Sequence, residues 1–142
     1  MSILLMLKQA KDFFTDAKQA AAQKIPILVM FSAPDCPYCE LVKSEVIEPM
    51  SELKEYKNKV ILRHILYSSL AEIIDFSGEN STHEQFSFKY VTNFYPTLLL
   101  FDDYGTVLGR KIGVVLIEEY WHDLDILIEQ ASKKFKQLEA IL

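Results

Sequence analysis

The run IPILVMFS, residues 25–32, has no charged position, and its only polar side chain is the closing serine. A strand alternates its side chains between two faces, so a strand with no polar face must be covered on both. That requirement calls for a sheet with helices packed against each side. Residues 8–23, KQAKDFFTDAKQAAAQ, set Ala10, Phe13, Phe14, Ala17, Ala20 and Ala21 on one side at helical spacing, predicting a leading helix that Pro26 ends. From Cys36 onward, Leu41, Val42 and Val46 lie beside a charged stripe that includes Glu45, predicting a second helix stopped at Pro49. SELKEYKNK then reads as a short exposed helix.

The run VILRHIL (60–66) predicts another apolar strand. TLLLF (97–101) and TVLGRKIG (106–113) predict two more, joined by the glycine-bearing turn DDYG. Residues 67–83 carry turn signals around Ser77-Gly78-Glu79-Asn80 and predict an extended loop with a short element inside. Phe86, Tyr90 and Val91 predict a short helix ahead of Pro96. A long amphipathic helix follows from about Leu116 to Leu138, with Ile117, Tyr120, Trp121, Leu124, Leu127, Ile128, Ala131 and Phe135 on its buried side. Strands alternating with helices and then an antiparallel pair make this an α/β chain. The expected architecture is a three-layer sandwich, a central mixed sheet with helices on both faces. The 142 residues fit one domain, 1–142, with an additional N-terminal helix at about 8–23 and an insertion at about 67–83.

A net charge of −5 without a lysine and arginine cluster argues against nucleic acid as a partner. The apolar run at the amino terminus, Ile3 to Leu7, is too short for a membrane span and has no positive charge before it, so it does not read as a secretory signal. No direct membrane insertion is expected. The protein is then either cytoplasmic or a mature form whose signal is not part of this sequence.

The chain has two cysteines, Cys36 and Cys39, in the sequence DCPYC. The expected handover from strand to helix puts Cys36 at a helix mouth, where unsatisfied N–H groups and the helix dipole favour an anion. A thiol attacks only as thiolate, and an ordinary cysteine titrates near about 8.5, so this placement assists it. Pro37 suits the first helical turn because its missing N–H would be unpaired there anyway. Cys39, one turn in, is the more buried partner. Cys36 is therefore expected to attack and Cys39 to resolve. A zinc site would need two of His64, His83 and His122, whose spacing fits no finger pattern, so no metal is expected. Buried inert thiols are the other alternative, but a C-x-x-C beside a strand–helix pattern is a redox signature.

ILVMFSAPDCPYCELVKSEV, followed about sixty residues later by YPTLLLFDDYG and VLGRKIG, resembles the thioredoxin superfamily. The likeness runs from about Ala10 to Phe135 and is strongest to thioredoxin-like proteins of the bacterial cell envelope. It implies a thioredoxin-like fold and an enzyme, a thiol–disulfide oxidoreductase. It implies that Pro96 is the family's cis-proline, with Tyr95 presenting its backbone to substrate; an ordinary trans proline opening a strand is the alternative. It implies that Gly113 keeps the substrate groove clear, the alternative being a plain turn glycine. Pro37, Tyr38, Tyr95, Pro96 and Gly113 are thus the expected substrate-binding residues around the catalytic pair. No cofactor is expected beyond the Cys36–Cys39 disulfide.

Three departures from ordinary thioredoxin matter. Met30 stands where a buried aspartate would lie beneath the disulfide, leaving water or a group such as Glu45 to take the proton of Cys39. Asp35 precedes Cys36 and opposes the stabilisation of its thiolate. Tyr95 is bulkier than the usual residue before the proline, which is expected to narrow the groove. CPYC also occurs in glutaredoxins, but the long first helix and DDYGTVLGRKIG differ from that pattern, so glutathione-dependent reduction ranks below exchange with proteins. The resemblance implies protein disulfide substrates, a reducing direction, a membrane-bound or soluble electron donor, a monomer and a periplasmic location. A binding module with a static disulfide, its groove built from Tyr38, Phe94 and Tyr95, is the reading from a different class.

Overall fold

A computed structural model describes residues 7–90 and 93–141. Most of the amino-terminal apolar run and Val91 lie outside the described residues. The elements are α1 (Phe13–Gln23), β1 (Ile27–Ser32), α2 (Pro37–Val42), α3 (Glu48–Glu52), α4 (Lys54–Lys57), β2 (Ile61–Leu66), β3 (Glu72–Ile74), β4 (Asn80–Thr82), α5 (His83–Tyr90), β5 (Thr97–Phe101), β6 (Val107–Ile112) and α6 (Ile117–Ile141).

The main sheet has the order β2-β1-β5-β6. β1 runs parallel to β2, while β5 is antiparallel to both β1 and β6. The fold is the expected α/β sandwich with a mixed central sheet. β1 is buried at every position, as its lack of a polar face requires. One face is covered by α1 and α5, whose rings stack on the sheet: Phe13 lies 4.5 Å from Phe86, and Phe31 lies 6.0 Å from Phe86. Against the other face, α6 places Leu127 over Gly109, and Trp121 donates to the Tyr56 hydroxyl at 2.8 Å. The buried side of α6 contains Tyr120, Leu124, Ile128, Ala131 and Phe135.

Several local expectations are corrected. The first helix begins at Phe13, five residues later than its apolar spacing suggested, because Asp12 caps it: the Thr15 N–H donates to Asp12 Oδ1 at 2.9 Å. Residues 8–10 are instead extended along β2, with the Ala10 N–H donating to the His64 carbonyl and the His64 N–H to that of Lys8. Phe14 is exposed, and Asp16 is buried on the helix face in a two-pronged pair with Arg63 (Nε to Oδ2 3.0 Å, Nη2 to Oδ1 2.9 Å). Helical structure does not stop at Pro49. A wider π turn over Lys43–Ile47 precedes it and α3 continues through the proline to Glu52. Proline forfeits one helical bond and crowds the preceding turn, and the wider turn gives the ring room. Within residues 67–83, the expected loop holds a two-stranded antiparallel sheet, β3 with β4.

Candidate active site at the mouth of helix α2

β1 ends at Ser32 and the chain reverses through Ala33, Pro34 and Asp35. Asp35 has φ +52°, a left-handed conformation that aspartate accepts more readily than most residues. The next residue, Cys36, is extended (φ −113°, ψ 100°) and caps α2. Its Sγ accepts the N–H of Cys39 at 3.2 Å, and its carbonyl accepts the N–H of Glu40 at 3.1 Å. Pro37 occupies the first turn, where no donor is wasted. Cys36 is half-buried and Cys39 is 3 % exposed. The two form a disulfide with their Cα atoms 5.2 Å apart. The sulfur that solvent can reach therefore belongs to Cys36, and its inner partner faces the core. Pro37 and Tyr38 are exposed beside it.

The antiparallel register brings the other expected residues to the same edge. Phe31 of β1 pairs with Thr97 of β5, so the end of one strand adjoins the start of the other. Pro96 precedes Thr97, is buried, and follows Tyr95 through a cis peptide. Its carbonyl accepts the N–H of Gly113 at 2.9 Å, which ties the end of β6 to the site. Gly113 has φ +69°, and a Cβ there would meet no atom of the chain within 4 Å. Within the free chain, then, the backbone conformation rather than crowding calls for glycine. Tyr95 turns its ring sideways toward α5, stacking on Tyr67 at 5.0 Å between centroids and approaching Ser87 Oγ at 3.5 Å. Sequence reasoning missed Tyr67. The only hint was its position directly after the second apolar strand.

Among the described residues, the β1 position that the resemblance places beneath the disulfide holds Met30 rather than a carboxylate. Met30 is 1 % exposed and in register with His64, while Glu45 is exposed and solvates its helix. The buried polar residues of β1, β2 and the start of β5 are Ser32, His64 and Thr97, and His83 is buried at the start of α5. His64 bonds to Gln9 Nε2 through Nδ1 (2.7 Å) and to Ser32 Oγ through Nε2 (2.8 Å). An amide nitrogen can only donate, so Nδ1 accepts and the proton sits on Nε2. His83 follows the same logic, accepting the Leu66 N–H and donating to the Ala10 carbonyl. Burial, then the positive charges of Lys43 and His83, pull the His64 pKa down to about 4. Burial also lowers that of His83. Both ring nitrogens of each are thus engaged by the protein, and His122 lies exposed on α6, so none of the three joins the cysteines. Among the described residues no cluster of three or more potential metal ligands occurs. No helix among them is long and apolar enough to cross a membrane.

Comparison with known proteins gives this geometry a context. The family model described as a thioredoxin-like domain matches residues 13–127. No protein of curated function matches the sequence. Among solved structures, oxidised thioredoxin O2 of Arabidopsis thaliana is similar at 20 % identity and a TM-score of 0.57, over 85 % of this chain and 93 % of that one. The reduced periplasmic thioredoxin SoxS of Paracoccus pantotrophus is similar at 22 % identity and a TM-score of 0.50, over 75 % and 98 % of the two chains. With a family match across most of its length and a C-x-x-C disulfide at the mouth of α2, the chain belongs to the thioredoxin-like domain family.

Proposed function

We propose that the protein is a thiol–disulfide oxidoreductase that reduces disulfides in other proteins. One observation carries the reading: the accessible sulfur of the pair is also the cap atom of α2, already accepting an N–H donor. The N–H that holds this sulfur, together with the helix dipole, would stabilise the negative charge of its thiolate. In the reduced protein, Cys36 thiolate attacks one sulfur of a substrate disulfide. That S–S bond breaks, one substrate thiolate leaves, and a mixed disulfide forms on Cys36. Cys39, once deprotonated, attacks Cys36 Sγ and releases the second substrate thiolate. Two electrons pass to the substrate and the Cys36–Cys39 disulfide remains, to be reduced by an external dithiol donor. With Met30 standing on β1 in place of a carboxylate, the Cys39 proton goes to water at the groove.

Exposed apolar side chains around the mouth (Tyr38, Phe94, Ile112 and Val115) suit a protein substrate better than a small one. A periplasmic setting and a membrane-bound electron donor are part of the same reading, supported by the envelope-type pattern of the sequence and the likeness to a periplasmic thioredoxin. The test is insulin reduction by wild type and Cys36→Ser. Turnover confined to the wild type supports exchange; equal, negligible turnover in both favours a binding module with a static disulfide. A reduction potential more oxidising than about −180 mV, the level of protein disulfide isomerase, would overturn the reducing direction.

A further inference from the structure

A cavity of about 220 Å³ opens beside the cysteine edge, lined by Tyr67, Glu84, Ser87, Phe88, Asn93 and Tyr95. Tyr95 belongs to both places: its backbone leads into Pro96 and its ring forms part of the cavity wall. Glu84, in the first turn of α5, is half-buried, and its carboxylate has no ion pair and no side-chain hydrogen bond among the described residues. The tyrosine and serine hydroxyls at 3.5 Å are too far apart for a strong mutual bond, so both keep acceptor capacity. Lys89, a cation on the same helix, lies over the Tyr90 ring. The cavity thus combines a carboxylate, spare acceptors and the aromatic faces of Tyr67, Tyr95 and Phe88.

That inventory selects its occupant. An anion would be repelled by Glu84, and an aliphatic side chain would desolvate the carboxylate without answering it. A guanidinium has five donors and no acceptor, stacks flat on aromatic rings and pairs with carboxylates. We infer that this cavity is a side-chain subsite for an arginine of the substrate protein, placed close in sequence to the disulfide that Cys36 attacks. The inference rests on the exchange reading for its biological use, but binding of the side chain does not depend on chemistry.

Two arms test it. In the first, single-turnover reduction by pre-reduced protein is measured for a short disulfide peptide bearing arginine at either side of one cysteine. Its citrulline counterpart, equal in shape but uncharged, is measured alongside, with hydroxyethyl disulfide as a substrate that lacks any side chain. The arginine peptide should react about tenfold faster than the citrulline peptide. Glu84→Gln should erase that preference and leave the hydroxyethyl disulfide rate unchanged. In the second arm, the same peptides with serine replacing cysteine are titrated into the oxidised protein, following the ring resonances of Tyr67 and Tyr95. The arginine peptide should bind about tenfold tighter in wild type and show no advantage in Glu84→Gln. Equal binding of the two peptides by wild type, or an arginine preference that survives Glu84→Gln, overturns the subsite. Tight arginine binding without any disulfide exchange sustains the subsite and overturns the exchange reading instead.

Discussion

The mouths of α1 and α2 are built alike and surrounded differently. Asp12 and Cys36 are both extended cap residues whose side-chain atom accepts the N–H three residues on, Asp12 Oδ1 from Thr15 at 2.9 Å and Cys36 Sγ from Cys39 at 3.2 Å. Around α1 the polar groups are answered by the protein: Asp16 by Arg63, His64 by Gln9 and Ser32, His83 by Ala10 and Leu66. Ahead of Cys36 and just after it, Asp35 and Tyr38 face outward. Asp35 has no ion pair among the described residues, and Tyr38 is 58 % exposed. A helix cap is therefore a place for negative charge, and the atom that caps decides the rest. An oxygen there only anchors; a sulfur can also react. Closed surroundings turn the same device into a structural lock, open ones into a meeting point for another molecule.

Substitutions at the two mouths break or sharpen that contrast. Cys36→Ser has the largest expected effect: disulfide exchange falls to the uncatalysed rate while circular dichroism shows an intact fold, since a hydroxyl can still cap α2. Arg63→Ala should do the reverse. It leaves Asp16 buried without its partner and lowers stability by about 4 kcal/mol in denaturant titration, with the exchange rate of the folded fraction kept.

Acid acts on the α1 side next. Both imidazoles accept a donor at Nδ1, so protonation would set N–H against N–H. His64 titrates near 4 in the folded protein but near about 6.5 when unfolded, so between those values the unfolded chain binds the extra proton. Stability is therefore complete above about pH 6.5 and falls as pH drops toward 4, by about 3 kcal/mol from His64 alone. His83 adds loss in the same direction. His64→Gln should flatten the pH dependence of the denaturation midpoint. If the slope is unchanged, the closed character of the α1 flank is misassigned.

Asp12→Ala removes the oxygen cap and the acceptor of the Thr15 hydroxyl. It should cost about 1 kcal/mol of stability and leave exchange untouched. The smallest effect belongs to Asp35→Asn. Asparagine tolerates the left-handed backbone equally well, so only the charge beside the thiolate is lost. Alkylation of reduced Cys36 at pH 7 should quicken about two- to threefold.

Much of this molecule was legible before any coordinates. The apolar run at 25–32 announced a strand buried on both faces, TLLLF at 97–101 announced a further strand, and the eight spaced residues of α6 announced the side it buries. The handover at Cys36 followed from a strand ending just before a proline-started helix. Where reading failed, competing local signals shared one pattern. Helical spacing from Ala10 hid the extended segment 8–12, because alanine and lysine suit a helix while bonds from 8–10 to β2 and from Lys11 to β3 held the backbone straight. Phe14 fitted the apolar stripe better than Asp16, yet Asp16 is inside, since only the fold brings Arg63 across to it. Pro49 is a helix stop by local rule, and the π turn before it removes the clash that the rule assumes.

The sequence by itself determined the layers, the cap at Cys36 and which of the two cysteines lies deeper, because hydrophobic periodicity and helix-end chemistry act over a few residues. Only the tertiary structure decided which polar groups are answered and which are left open, because those partners lie far apart in the chain. Arg63 reaches Asp16 across 47 positions and His83 reaches Ala10 across 73. The cavity beside Tyr95 belongs to that second class, since the loop after β2 and the first turns of α5 meet there through packing alone.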